Sequence, residues 1–194
     1  MIAIAILAGA LLGILSPLAG RDKDLRSMTE SSDETEIGFC SRPSPGSLGF
    51  PGHTFVTFSA TKTDGYRDFK AVGHTLGSDV SATSAGFSYF SGKSVAGKQM
   101  EERYTALKQS CLIVQLNRSD YDKALLAAKP TLASVGIPID IAASIERYSL
   151  GDNDCITFAE RVANALKPAG LKVPGRSATD TPAAWISKLS DANP

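Results

Sequence analysis

The sequence has no excess of charge, only two histidines and only three cysteines. Twenty basic residues balance twenty acidic ones over 194 residues, so the chain lacks the charge pattern by which proteins bind nucleic acids. The histidines stand far apart and no two cysteines are close in sequence, which leaves no spacing typical of a metal site. We therefore expect no metal, no other cofactor and no nucleic-acid partner.

The remaining composition is that of an ordinary globular chain. Hydrophobic residues make up 43% of the sequence, which is enough for one buried core at this length. The sequence contains no internal repeat and no low-complexity tract. One folded domain is expected, and its oligomeric state is left open.

Residues 1–20 are predicted to be a signal peptide or a membrane anchor. The run from Ile2 to Leu18 is almost wholly apolar and ends in small residues, as secretory signals do. Its length is at the lower limit for crossing a bilayer. Basic residues follow the run and none precedes it, which favours an uncleaved anchor in the opposite orientation. We expect an exported protein, periplasmic, extracellular or anchored, that touches membrane only through this segment.

Charged and hydroxyl side chains dominate residues 21–36, which predicts a polar linker. The catalytic domain is expected over residues 37–194. Near its start, residues 41–52 contain three prolines and three glycines, a composition that predicts a shaped loop. This loop leads directly to His53.

A β-hairpin is predicted after the loop. The stretch 53–59, HTFVTFS, is rich in aromatic and β-branched residues, and a Thr-Asp-Gly turn signal precedes a second extended run over 66–76. Residues 73–97 are mostly Ser, Gly, Thr and Ala, which predicts a long loop that lines or covers a site.

The second half of the chain carries helix signals. Apolar residues of CITFAERVANALK recur at offsets 0, 3, 4, 7 and 11, which predicts a helix that starts at Cys155 with one face in the core. The other predicted elements are a strand at 111–116, a helix from Ser119 to about Pro130, and a last amphipathic helix from Thr181-Pro182.

Cys155 is the candidate nucleophile. A thiol at a helix N-terminus faces free backbone amides and the positive end of the helix dipole, which stabilise a thiolate and an oxyanion. His53 and His74 are the only possible imidazole bases, and the hairpin brings both to one end, so that one could orient the other. If the chain is exported, Cys40 and Cys111 could pair and leave Cys155 as the free thiol. The alternative is that all three cysteines are small buried apolar residues.

Two features bear on this interpretation. Asp152 and Asp154 flank the candidate nucleophile, and their charge disfavours a thiolate unless they turn away or cap the helix. Cys155 and Arg161 also have the spacing of cysteine-dependent phosphatases. That chemistry needs a loop of amides around phosphate, whereas the intervening ITFAE has no glycine and continues a helical pattern.

The motifs GHTFVTF, a second histidine on the next strand, and YSLGDNDCITF at a helix start resemble circularly permuted papain-like cysteine hydrolases of the NlpC type. The His, His, Cys order is similar to the lecithin retinol acyltransferase branch. The resemblance implies an α+β fold with a small antiparallel sheet, and the catalytic residues Cys155, His53 and His74. It also implies that Tyr148 and Asn153 support substrate or the oxyanion, although Tyr148 could simply pack.

The expected reaction is acyl transfer through a Cys-His thiolate and an acyl-enzyme. The NlpC-type resemblance implies amide bonds of cell-wall peptide as the substrate. The alternatives are a lipid acyltransferase, thioesterase or phospholipase of the same fold, and an inactive binding domain. The expected partner is therefore a peptide or lipid-type acyl substrate.

Overall fold

The computed structural model describes residues 19–26, 34–43, 52–77, 79–102, 109–128 and 145–194. Seven strands in this part of the chain form one sheet: β1 (Ala19–Asp24), β2 (Thr35–Arg42), β3 (His53–Thr61), β4 (Arg67–Leu76), β5 (Val95–Glu101), β6 (Ser110–Leu116) and β7 (Ile145–Tyr148). The helices are α1 (Ala82–Ser91), α2 (Arg118–Ala128), α3 (Cys155–Ala165) and α4 (Pro182–Ala192), with a short 3-10 turn at Lys167–Ala169 after α3.

The strands lie in the order β1-β6-β2-β3-β4-β5-β7. Strand β1 runs parallel to β6, and the other neighbours are antiparallel. The predicted α+β class is confirmed, but the sheet is larger than the small antiparallel one that we expected, and it is mixed. The physical reason is the long-range pairing of β1 with β6, which no local pattern specifies.

Helices α2, α3 and α4 enclose the main core against one face of the sheet. The predicted apolar face of α3 is buried, as are Trp185, Ile186 and Leu189 of α4. Both sets pack with alternate residues of β2 and β3, including Phe39 and Phe58. The period-3.6 pattern of these helices therefore predicted their buried faces correctly.

The predicted hairpin is confirmed as β3 and β4, with Gly65 at a φ of 80° in the turn. The predicted long loop over 73–97 is wrong, because β4 continues to Leu76, α1 follows, and β5 begins at Val95. Helix α1 is capped by Ser81 and ends at Gly92 in the left-handed conformation. The sequence of α1 is rich in Ser, Thr and Gly, which form helices less readily than Ala or Leu, and this composition is why we predicted a loop.

The N-terminal predictions are only partly within the described residues. Residues 1–18 lie outside them, while Ala19 and Gly20 already belong to β1. The polar linker over 21–36 needs correction, because residues 21–24 pair with β6 and residues 35–36 belong to β2. Among the described residues, no helix is long and apolar enough to cross a membrane.

Cys40 and Cys111 form a disulfide between directly opposed positions of β2 and β6, with their Cα atoms 4.1 Å apart. The bond lies beside Phe55 and Ala71, in a small apolar cluster separate from the main core. Cys155 is the free cysteine, and it is buried.

Candidate active site

Cys155 is the first residue of α3, as predicted. The turn that precedes it is closed by two backbone bonds between Ser149 and Asn153, each 2.9 Å long. Gly151 adopts a φ of 88° in this turn, a conformation that favours glycine. The turn joins the end of β7 to α3 and so sets the position of the thiol.

Asp154 is the N-cap of α3. One carboxylate oxygen, Oδ1, accepts hydrogen bonds from the amides of Ile156 (3.0 Å) and Thr157 (3.2 Å). The other, Oδ2, accepts from the Gly151 amide at 2.8 Å and from Arg176 at 2.6 Å. This carboxylate is thus directed into the helix start and paired with a cation.

Asp152, the other acidic neighbour of Cys155, is exposed, and its backbone carbonyl accepts a 2.6 Å hydrogen bond from the Thr157 hydroxyl. The two acidic residues that flank Cys155 therefore act as a helix cap and a surface turn residue.

The structure brings His53 to Cys155. The imidazole hydrogen-bonds to the Cys155 side chain, and its Nε2 lies 2.7 Å from Oε1 of Glu102. Because Nε2 is engaged by the carboxylate, Nδ1 is the nitrogen left for the sulfur. The pairing of β3 with β4 ends at Val56↔Val72, so His53, at the start of β3, is not paired with β4.

The pKa of His53 reflects this arrangement. Burial of the ring by itself lowers the pKa, but hydrogen bonds to Cys155 and Glu102, and the negative charges of both, outweigh burial and raise it from 6.5 to about 9. The imidazole is therefore protonated at neutral pH, next to a sulfur that accepts its hydrogen bond. Such an imidazolium can donate a proton to a leaving group.

Glu102 is a residue that the sequence did not reveal. It follows β5, where its amide donates to the Ala71 carbonyl at 2.7 Å. Its Oε2 accepts from Arg42 at 2.9 Å, and both side chains are largely buried. Burial raises the pKa of Glu102, but His53 and Arg42 together hold it below its usual value. The carboxylate thus stays charged and can fix the orientation of the imidazole.

Gly73 provides the space in which His53 and Glu102 meet. A Cβ at this position would lie 2.5 Å from Glu102 Oε1 and 2.6 Å from His53 Nε2. Any side chain here would therefore separate the two partners. Gly73 was the local signal in the sequence, because a glycine inside a strand often marks a place where another group comes close to the backbone.

His74 lies elsewhere. It is fully buried, and its ring makes an edge contact with Tyr148 at a centroid distance of 5.3 Å. We expected His74 to be the group that could orient His53, but the residue at His53 Nε2 is Glu102. Because side chains alternate along β4, His74 points to the opposite face from Gly73.

Tyr148 contacts Cys155 directly, through a hydrogen bond between its hydroxyl and the Cys155 side chain. Burial raises the pKa of Tyr148, and the nearby negative charges of Cys155 and Asp154 raise it further. The phenol therefore stays protonated and can donate a hydrogen bond at the sulfur.

Asn153 is placed differently. Its side-chain amide donates to the Arg147 carbonyl at 2.5 Å and stabilises the turn between β7 and α3.

The backbone amides that we expected to be free for an oxyanion at the start of α3 already have partners. The amides of Ile156, Thr157 and Phe158 all donate to Asp154, the first two to its carboxylate and the third to its carbonyl. The first turn of α3 therefore offers the Cys155 amide itself, and Tyr148 is the side-chain donor beside it.

A pocket of about 410 Å³ opens next to Cys155. Tyr148 and Gly52 also line it, and Gly52 precedes His53 in the sequence.

The phosphatase-like spacing from Cys155 to Arg161 falls on continuous helix, and Arg161 stacks over Phe158 with its guanidinium carbon 5.5 Å from the ring centroid. No amide-lined loop is formed between the two.

Within the described ranges, no group of three or more His, Cys, Asp or Glu side chains is arranged to hold a metal ion. Comparison of the chain with protein-family models, with curated proteins and with solved structures gives no match.

Proposed function

We propose that this protein is a cysteine hydrolase that cleaves a carboxylic acid derivative through an acyl-enzyme on Cys155. The observation that carries the proposal is the pair of contacts that His53 makes. Its imidazole ring hydrogen-bonds to Cys155 and also to Glu102. Nucleophile, base and orienting group in this order are what activated-thiol catalysis requires. Arg42 forms an ion pair with the other carboxylate oxygen of Glu102, Oε2, and so positions this carboxylate.

In the first half of the reaction, the Cys155 thiolate attacks the substrate carbonyl carbon and forms a carbon–sulfur bond. The carbonyl oxygen becomes an oxyanion, which the Cys155 amide and the Tyr148 hydroxyl stabilise. The tetrahedral species then collapses, the bond to the leaving amine or alcohol breaks, and protonated His53 supplies the proton that the leaving group needs. A thioester and neutral His53 remain.

Water completes the reaction. His53 takes a proton from the attacking water, which adds to the thioester carbonyl, and collapse returns the sulfur as thiolate with His53 protonated. The net change is hydrolysis of an acyl bond to a carboxylic acid and an amine or alcohol. Glu102 holds the imidazole at one angle during both proton transfers and stabilises its charged form.

Two substrate classes follow from the resemblance, and they remain proposals. Peptide amides of the cell wall are the first, and lipid-type esters, thioesters or amides are the second. The second is favoured by the apolar pocket beside the sulfur. We also propose that the domain is a permuted papain-like fold, because the strand of His53 precedes the helix of Cys155 in the chain.

Export is the proposed localisation. The disulfide between Cys40 and Cys111 supports it, because such bonds persist in oxidising compartments. The apolar composition of residues 1–20 supports it as well.

Acylation of the thiol is the direct test. The disulfide leaves Cys155 as the free cysteine, so a thioester can form only on this residue. Incubation with p-nitrophenyl acetate is expected to give a burst of p-nitrophenol and a protein mass increased by one acetyl group. The Cys155→Ala variant should give neither, while its circular dichroism spectrum stays native.

Substrate class is tested with peptidoglycan fragments and phospholipid vesicles in parallel, again against Cys155→Ala. Hydrolysis of one of the two by the native protein identifies the class. If the native protein and the folded variant are equally inert toward the active ester, the hydrolase proposal fails and a binding domain is the better interpretation.

A further inference from the structure

The pocket beside Cys155 has a mainly apolar wall. Its apolar side chains come from α1, β7 and the segments around α3 and α4: Phe90, Tyr148, Leu150, Ile156, Ala178 and Pro182. At about 410 Å³ the pocket lies near the small end of the range of about 300–1,000 Å³ for ligand sites, which are typically lined in this way.

The charged residues of the pocket wall are already engaged with protein partners. The two terminal nitrogens of Arg176 are bound to Asp154 and to the Thr157 hydroxyl, each at 2.6 Å, while its Nε is buried and has no hydrogen-bond partner among the described residues. Asp180 is bound to Lys188 at 2.6 Å and accepts the Ser177 amide at 2.8 Å. A charged substrate group entering here would have to break these pairs or be desolvated without compensation, and either is costly.

The position of the pocket relative to the sulfur decides which half of a substrate it holds. Cys155 and Tyr148 are part of the wall, whereas His53 is not among the described residues that line it. The leaving group must lie within reach of His53, because the imidazolium protonates it. The acyl group stays bonded to the sulfur, and it therefore extends to the other side, into the pocket.

From these observations we infer that the pocket binds the acyl half of the substrate, and that this half is an uncharged aliphatic chain of moderate length. The inference rests on the proposed hydrolase function and specifies its substrate. It favours acyl esters, thioesters or fatty amides over peptide amides with charged ends.

Gly86 of α1 makes the inference testable. It lines the pocket, and a Cβ built on it meets no atom within 4 Å. Its φ is not in the left-handed region, so a larger residue fits the helical backbone without strain. Leucine also forms helices better than glycine. A side chain at this position is expected to fill part of the pocket and leave the fold intact.

The experiment compares kcat/KM for p-nitrophenyl octanoate and p-nitrophenyl acetate. Each buried methylene favours binding about fourfold, so the native protein should prefer the octanoyl ester by at least about tenfold even if only two methylenes are buried. The ratio should fall stepwise in Gly86→Ala and Gly86→Leu, by about tenfold in the latter. Thr83→Leu places the same side chain at an exposed position of α1 outside the pocket wall, and should leave both rates unchanged.

Three results would overturn the inference. One is a native protein that prefers the acetyl ester, and another is a Gly86→Leu variant that keeps the native ratio. The third is faster cleavage of a charged peptide amide than of an octanoyl amide with the same leaving group. In each case acylation of Cys155 still takes place, so the proposed hydrolase function stands. If no ester acylates the native protein, the hydrolase proposal and the inference fail together.

Discussion

Replacing Glu102 with glutamine removes one negative charge next to His53 and keeps the size and shape of the side chain. In the native protein the carboxylate lies 2.7 Å from His53 Nε2 and is fixed from the other side by Arg42. The rise of the His53 pKa from 6.5 to about 9 corresponds to about 3 kcal/mol in favour of the imidazolium. Cys155 and Glu102 both contribute to this rise.

The expected size of the effect follows from the hydrogen bond that is lost. A hydrogen bond to a charged group contributes about 1.5–3 kcal/mol, so the pKa of His53 in Glu102→Gln should fall from about 9 to between about 7 and about 8. It should stay above 6.5, because Cys155 still raises it. Since about 1.4 kcal/mol corresponds to a factor of ten in rate, kcat/KM should drop by about tenfold to a hundredfold.

The pH dependence follows from the direction of the shift. The folded-state pKa of His53 is raised, so its contribution to stability is fully present below pH 6.5 and is lost as the pH rises through about 9. Activity needs the protonated imidazole, and the alkaline limb of kcat/KM should therefore also lie near pH 9. In Glu102→Gln both transitions should move to lower pH.

Two measurements check this prediction. One is the pH profile of kcat/KM with an active ester. The other is NMR titration of the imidazole Cε1–H protons, which is simple because the chain has only two histidines, and the His53 signal is assigned by its loss in His53→Gln.

Glu34→Gln is the matched control, since Glu34 is exposed and bonds to Thr61 at the far end of β3. It should change neither profile. An alkaline limb that stays near pH 9 in Glu102→Gln, with a native rate, would refute the role of Glu102.

Three further changes have definite expected outcomes. Gly73→Ala should lower kcat/KM for ester hydrolysis by at least about tenfold in a protein with a near-native circular dichroism spectrum, because the new Cβ separates the imidazole from its carboxylate; full activity would contradict the geometry. Asp154→Ala should lower the free energy of unfolding in urea by about 3 kcal/mol through loss of the cap and of a buried ion pair, whereas the exposed Asp152→Ala should change it by less than about 0.5 kcal/mol. Replacing Cys40 and Cys111 together with serine should cost about 2–4 kcal/mol of stability but leave ester hydrolysis at room temperature intact, so loss of activity in the folded variant would show that the disulfide supports the site.

The tertiary structure also shows what the two acidic neighbours of Cys155 contact in the folded protein. Asp154 is used by the helix start and by Arg176, and Asp152 faces solvent. The Cys155 side chain instead hydrogen-bonds to His53.

Local patterns in the sequence determined the elements that carry the candidate site. Alternation and a turn signal predicted β3 and β4, and helical spacing placed Cys155 at the start of α3 with its buried face. These predictions succeeded because the direction of the side chains repeats every two residues in a strand and every 3.6 residues in a helix. A short stretch of sequence therefore shows which element it forms. The same reasoning placed His53 at the head of its strand.

Only the tertiary structure decided what surrounds the imidazole. Glu102 is 49 residues away from His53 in the sequence, and it arrives there through the pairing of β4 with β5 and the bond from its amide to Ala71. The sequence favoured His53 as the base and left His74 as a possible orienting group, but the alternation of β4 directs His74 to Tyr148. The sequence limited the possible bases to two histidines. Strand register, which depends on long-range packing, determined which side chain contacts His53.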